Sequence, residues 1–160
     1  DQVGEVWVKN SWLFNGYWNM PEATAEALVE GWCTVGDLGR VDEEGFMYLV
    51  DRKKNMIISG GQNIFPREIE EVLHHHSTVA EAAVVGRRDD YWGEAVTAFV
   101  VLRPDQSATE DDLKTHCAEG LARYKLPKTF YFIDAMPKNA AGKILHRDLR
   151  EALNRGEYDT

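Results

Sequence analysis

The two runs Ala80-Glu-Ala-Ala-Val-Val-Gly86 and Ala95-Val-Thr-Ala-Phe-Val-Val-Leu102 decide the fold, with the charged segment Arg87-Arg-Asp-Asp90 between them reading as their connection. Apart from Glu81 and Thr97, each run is apolar on successive residues and not on alternate ones, the pattern of a central strand covered on both faces. Helical patterns stand on either side. Pro66 occupies a position that favours a helix start, and Ile69, Val72 and Leu73 recur at helical spacing to give one apolar face. Thr109 with Asp112 has the layout of a capping box with a short third partner, and Leu113, Cys117 and Leu121 follow on one side. Residues 129–133 read as a further strand, and Leu145, Leu149, Ala152 and Leu153 define a closing amphipathic helix. Residues 56–58 add a short strand before a Ser59-Gly60-Gly61 loop. The fold class is α+β, a small mixed sheet covered by three helices over residues 53–160.

Residues 1–52 read differently. Residues 3–8 and 32–35 are β-rich, Pro21 and Glu22 open a short helix through Ala27, and a turn at 42–45 leads into a strand over 46–50. A few strands and one short helix make a poor core, so this β-rich stub is expected to belong against something else. Its charge is also distinct: ten acidic and three basic residues, against seventeen and fifteen over 53–160. The first residues, Asp-Gln-Val-Gly-Glu, lack an initiator Met and the layout of a signal peptide, and read as a cut end.

At 160 residues, 44% apolar and 11% aromatic, the chain has enough apolar surface to fold. A net charge of −9 argues against a nucleic-acid or anionic-membrane binder, since both require a basic face. No apolar stretch approaches the roughly 20 residues of a membrane-spanning helix. Cys33 and Cys117 form no CxxC pair and suit a reducing, cytoplasmic setting as small core residues. His74-His-His76 are not expected to bind a metal, because consecutive helical residues point about 100° apart; a place at a helix C-terminus suits them better.

Four segments combine glycine with charge at an expected strand edge. In Gly31-Trp-Cys-Thr-Val-Gly-Asp-Leu-Gly39, Asp37 follows Gly36, so its carboxylate has little steric cover and suits the paired hydroxyls of a ribose. In Asp51-Arg-Lys-Lys-Asn-Met-Ile-Ile-Ser-Gly-Gly61, three cations precede a glycine pair that lets backbone N–H groups approach phosphate. Its position at the charge boundary also makes it a candidate hinge. Trp92 beside Gly93 in Tyr91-Trp-Gly-Glu94 is shaped to wall a narrow channel. In Pro137-Lys-Asn-Ala-Ala-Gly-Lys143, a loop lysine follows glycine and presents a point charge that reaches phosphate. Each segment alone also fits a turn, a solvated linker, a packing Trp or an exposed lysine.

In this order the four segments resemble the adenylate-forming enzymes: acyl-CoA synthetases, luciferases and peptide-synthetase adenylation domains. The resemblance covers essentially the whole chain. Gly16-Tyr-Trp18 with Pro21-Glu-Ala-Thr24 resembles the segment before the family's ribose-binding aspartate, and Gly36-Asp37 matches that aspartate. Phe65-Pro-Arg-Glu-Ile-Glu70 resembles the helix after the hinge. The resemblance implies two half-reactions: a carboxylic acid attacks the α-phosphorus of ATP, with Mg²⁺, to give an acyl-adenylate, and the thiol of coenzyme A then displaces AMP. It implies that Asp37 and Arg52 bind ribose and phosphate, that Lys143 is catalytic and bridges carboxylate and α-phosphate, and that Lys54 is the hinge. It implies a coenzyme A surface of Ser59, Gly60, Gly61, Trp92, Tyr124 and Lys125, with Tyr124 stacking on the adenine and Lys125 and Lys128 as partners for the 3′-phosphate. Ile58 stands where luciferases carry a lysine, which points away from oxygenase chemistry. No carrier domain follows Leu153, which points away from peptide synthetases.

Under this resemblance, residues 1–52 are the terminal β-rich segment of a large N-terminal adenylation domain and 53–160 the mobile C-terminal domain. The phosphate loop, the acid pocket and most of the Mg²⁺ site lie in that N-terminal domain, the chain's implied partner, and a homodimer is a further possibility. The chain alone is then expected to be inactive on its fatty or aromatic acid. The alternatives are a free-standing nucleotide- or partner-binding module, or another branch of the superfamily.

Overall fold

The computed structural model describes residues 2–158, and it divides into two compact units between Lys54 and Asn55. The first unit contains β1 (Gly4–Glu5), α1 (Pro21–Ala27), β2 (Leu28–Val29), β3 (Trp32–Cys33), β4 (Asp37–Val41) and β5 (Met47–Arg52). β1, β4 and β5 form an antiparallel sheet in that order, and β2 and β3 a separate hairpin.

The strand expected over residues 3–8 is reduced to Gly4–Glu5, because the segment changes partner midway. Gly4 and Glu5 pair with β4, whereas Val8 bridges to Cys33. β4 is absent from the sequence reading, which places no strand over residues 37–41. A Cβ at Gly39 would lie 2.9 Å from the Val6 side chain and 3.2 Å from Tyr48 O, so this glycine serves close packing inside the sheet. The 42–45 turn is held by Asp42, whose Oδ1 accepts from the N–H groups of Glu44 and Phe46. Those donors, Phe46 first, keep the Asp42 carboxyl below its ordinary value. Among the described residues, apolar burial in this unit is limited to Ala27, Cys33 and Leu38, while Phe46, Met47, Tyr48 and Leu49 are exposed in succession.

The second unit contains β6 (Ile57–Ser59), β7 (Gln62–Ile64), α2 (Pro66–His74), β8 (Val79–Asp89), β9 (Gly93–Leu102), α3 (Glu110–Gly120), β10 (Thr129–Phe132) and α4 (His146–Asn154). β9 is central. β8 pairs with it antiparallel along its length, β10 runs parallel to it, and β6 joins at Ser59↔Gly93 and carries β7. This is the mixed sheet that the apolar runs predict. Of the expected connection 87–90, only Asp90 lies in the turn. β8 continues through Asp89, with Arg87↔Ala95 and Arg88↔Glu94 in register. Among the described strands β8 pairs with β9 alone, so charged side chains near its end keep access to water.

Both sheet faces are covered. Val84, Val96, Ala98 and Val100 pack with Ile69 and Leu73 of α2 and Leu113 and Cys117 of α3. Ala83, Val85 and Phe99 pack with Leu149 and Leu153 of α4. The capping box of α3 is complete: Asp112 N–H donates to Thr109 Oγ1 at 3.2 Å, and Thr109 N–H to Asp112 Oδ2 at 2.8 Å. Both cysteines are free and buried, and burial pushes the Cys117 thiol up to about 11.

Two outcomes follow for stability. Leu73 is fully buried, so Leu73→Ala should lower the unfolding free energy by about 2–5 kcal/mol in urea denaturation. Leu49 is 54% exposed, and Leu49→Ala in this chain should change it by less than about 0.5 kcal/mol. In alkylation at pH 8, Cys117 should react only once the chain is unfolded.

Candidate functional site

In the first unit, the β4–β5 register sets Asp37 opposite Arg52. Arg52 Nε donates to Asp37 Oδ1 at 3.0 Å, and Arg52 Nη2 donates to Val35 O at 3.4 Å. Gly36, at φ +77°, turns the chain immediately before Asp37, with open space where a Cβ would stand. A short polar network fixes this turn. Gly36 N–H donates to Thr34 Oγ1, the Thr34 hydroxyl donates to Glu5 Oε1 at 3.0 Å, and Lys53 Nζ donates to Glu5 Oε2 at 2.8 Å. The Lys53 ammonium, and after it the Thr34 hydroxyl, hold the Glu5 carboxyl below its ordinary value against the opposing effect of burial. A cleft of about 690 Å³ lies beside the turn, lined by Tyr17, Met20, Ala27, Val35, Gly36, Lys53 and Lys54 among others. Sequence reading proposed Asp37, Arg52 and Lys54 but missed Glu5 and Thr34, which are distant in the chain.

In the second unit, Gly60 and Gly61 form a two-residue hairpin between β6 and β7, both at positive φ (57° and 77°). That backbone is the reason for the glycine pair. Gly60 N–H donates to Trp92 O at 2.8 Å, and a Cβ on Gly60 would lie 2.9 Å from the Trp92 ring. Lys128 Nζ sits 3.8 Å from the centroid of that ring, a cation–π contact. Glu94, which the sequence reading gave no role, accepts the Ile58 N–H at 2.7 Å and ties β6 to the start of β9. Ser59, Gly60, Gly61, Trp92 and Lys128 are thus brought together. Beside them, Arg87, Arg88, Asp89, Asp90 and Lys128 line a second cavity of about 410 Å³.

Tyr124 and Lys125 lie on a single 3₁₀ turn, Arg123–Lys125, with Tyr124 half exposed. Lys125 is engaged: its Nζ donates to Glu68 Oε1 and Oε2 at 2.6 and 2.7 Å, and its side chain is 18% exposed. Lys143 stands at the end of a tight loop. Lys138 and Ile144 bridge across its base, and Asn139 Oδ1 accepts the N–H groups of Ala141 and Lys143. Gly142, at φ +78°, directly precedes the lysine, which is exposed. The unit has five lysines. Lys114, Lys125 and Lys138 are paired with carboxylates and Lys128 with Trp92, whereas Lys143 makes no side-chain ion pair among the described residues.

The three histidines take separate partners. His74 and His75 face Glu70 O and Glu71 O at the end of α2, and His76 faces the Thr78 hydroxyl.

Residues 68–143 match the family model described as the AMP-binding enzyme C-terminal domain. The chain is 45% identical over 156 residues to the 2-succinylbenzoate–CoA ligase of Geobacillus kaustophilus, covering 98% of this chain and 32% of that protein. It is 49% identical over 148 residues to a long-chain-fatty-acid–CoA ligase of Bacillus subtilis, covering 92% of this chain and 26% of that protein. Among solved structures it resembles the o-succinylbenzoate CoA synthetase of Bacillus subtilis in complex with its acyl-adenylate intermediate. The TM-score is 0.87 at 41% identity, covering 93% of this chain and 30% of that one. The chain spans about a third of the length of the curated relatives it matches.

The Gly60–Trp92 contact yields a paired expectation. Gly60→Ala adds a clash with the indole to the cost of a left-handed backbone, whereas Gly61→Ala carries the backbone cost alone. Both should destabilise by about 1–3 kcal/mol in thermal unfolding, with Gly60→Ala the larger. Gly60→Ala alone should shift Trp92 resonances in NMR spectra.

Proposed function

We propose, for a chain that belongs to the AMP-binding enzymes through their C-terminal domain, that it forms the C-terminal part of an ATP-dependent acid–thiol ligase. The acid is aromatic or fatty, the two classes named in the relatives, and the reaction passes through an acyl-adenylate to an acyl-CoA. The observation that carries the reading is Lys143: the one lysine of its unit without a side-chain partner among the described residues, held out on a loop whose backbone is fixed by Asn139. A cation held this way is available to an incoming anion without first breaking an ion pair.

In the first half-reaction, the acid's carboxylate oxygen attacks the α-phosphorus of ATP and pyrophosphate leaves. Lys143 neutralises charge that builds on the carboxylate and the α-phosphate, an electrostatic effect strongest where water is excluded. Asp37 accepts from the ribose hydroxyls. Arg52 engages one of its oxygens, which leaves Oδ2 for the nucleotide and fixes the carboxylate's orientation. Mg²⁺ is assigned to the ATP phosphates and the N-terminal domain.

In the second half-reaction, the thiol adds to the acyl carbonyl and AMP leaves. The Gly60–Gly61 hairpin, walled by Trp92, takes the pantetheine arm. Trp92 and Lys128 are already in contact, so an aromatic wall and a phosphate-binding cation stand together. Tyr124 stacks on the adenine. A direct role for Lys125 requires phosphate to replace Glu68 on its ammonium. Lys54 is the hinge on which the domain turns between half-reactions.

The exposed apolar residues of β5 are proposed to lie against the enzyme's own N-terminal domain, with a homodimer as the other occupant. A cytoplasmic setting, which keeps Cys33 and Cys117 as thiols, goes with the reading.

In the full-length enzyme, Lys143→Ala should cut acyl-adenylate formation by at least roughly a hundredfold and spare thioesterification of supplied acyl-adenylate. Lys54→Pro should do the reverse by stiffening the hinge. Pyrophosphate exchange and CoA-thioester formation measure the two halves separately, and equal loss of both in either variant would count against domain rotation. A pyrophosphate-exchange screen of aromatic and fatty acids identifies the substrate.

A further inference from the structure

The loop that carries Lys143 is anchored beyond its own turn. Leu145 N–H donates to Pro137 O at 2.8 Å, and Lys138 Nζ meets Glu81 Oε2 of β8 at 2.6 Å. A third anchor comes from α2. Glu70 Oε1 accepts the Val84 N–H at 2.8 Å and faces His146 Nε2 at 2.7 Å, and the two side chains are only 17% and 19% exposed.

The chemistry of this third anchor is specific. β8 pairs with β9 alone among the described strands, so the Val84 N–H needs an acceptor from outside the sheet. Glu70 supplies it, and the same oxygen also receives His146, the first residue of α4 and three residues beyond Lys143. The helix N-cap is Leu145, which makes no side-chain cap. One carboxylate therefore joins α2, the edge of β8 and the point where the lysine loop enters α4.

We infer that Glu70 and His146 are positioning residues for the Lys143 reaction: a clip that fixes where the loop leaves the domain and so where the Lys143 ammonium stands. The inference rests on the reading of Lys143 as the adenylation lysine. Neither residue touches the reacting atoms. Their effect is geometric, and a displacement of about 1 Å in a reacting group costs on the order of a hundredfold in rate.

The test falls on His146, because removing Glu70 would also orphan the Val84 N–H. In the full-length enzyme, His146→Ala should speed amide hydrogen exchange over residues 137–145. It should lower kcat for acyl-adenylate formation by roughly tenfold to a hundredfold, with KM for ATP little changed and thioesterification of supplied acyl-adenylate intact. His146→Arg, which returns an N–H donor toward Glu70, should recover most of the rate. Wild-type adenylation in His146→Ala, or an equal fall in both half-reactions with no rescue by His146→Arg, would overturn the clip. Lys143→Ala run in parallel separates the two ideas. If that variant still adenylates, the reading of Lys143 fails, and the exchange rates decide the clip alone: faster exchange upholds it as the loop's anchor, and unchanged exchange overturns it.

Discussion

The antiparallel ladder between β8 and β9, in register from Val79↔Leu102 to Asp89↔Gly93, is the constraint on which the second unit depends. Its residues alternate between two buried faces, so one pair of strands organises two hydrophobic layers, α2 with α3 on one side and α4 on the other. Each fully buried branched or aromatic side chain contributes about 1.5–3 kcal/mol relative to exposure, and the ladder supplies many of them. Every proposed functional loop of the unit is attached to this frame. Trp92 sits in the turn between the two strands, and the Gly60–Gly61 hairpin joins at Gly93. The lysine loop is pinned to β8 through Glu81 and, by way of His146 and Glu70, through Val84.

The first unit has no such frame. Three buried apolar residues do not make a core, and its order comes from polar closure around Gly36: Thr34, Glu5 and Lys53 together satisfy the turn that presents Asp37. Exposed ion pairs of this kind contribute little to stability, so the network is better understood as setting geometry. β5 shows the mismatch most clearly. Met47, Tyr48 and Leu49 are exposed in succession, which places apolar side chains on both faces of one strand. A strand of that composition is built for cover on both sides, in agreement with the proposed N-terminal domain.

Helix starts were legible because their chemistry is local. Pro21, Pro66 and the Thr109–Asp112 box each act within one turn of chain, and all three helices begin there. β4 and β7 were not legible, because a glycine that permits close packing or a tight hairpin looks the same in sequence as one that ends a strand. The charged residues 87–89 misled for a related reason: at an unpaired edge, charge is compatible with strand. Long-range pairs left no local trace at all. Glu68 meets Lys125 across 57 positions, and Glu70 meets His146 across 76. The charge imbalance is also a matter of where the chain is divided. With the division after Lys54, the units hold ten acidic and five basic residues against seventeen and thirteen, and most of the contrast disappears.

That surplus of acid bears on Lys143. In a unit with seventeen carboxylate side chains for thirteen arginines and lysines, a surface lysine has no shortage of partners, and Lys114, Lys125 and Lys138 have each found one. Keeping a lysine apart from them requires a backbone that does not bend toward acid. The loop achieves this with neutral residues on both sides, Ala140, Ala141 and Gly142 before the lysine and Ile144 and Leu145 after it. Asn139 fixes the turn by hydrogen bonds to backbone N–H groups, where an Asp at the same position would place a full negative charge within reach of the ammonium. The neighbouring cation Lys138 carries the loop's ion pair instead, to Glu81. In the proposed assignment, anchoring and reactivity fall to different lysines five residues apart in one loop, and the neutral turn between them sets no carboxylate next to the second.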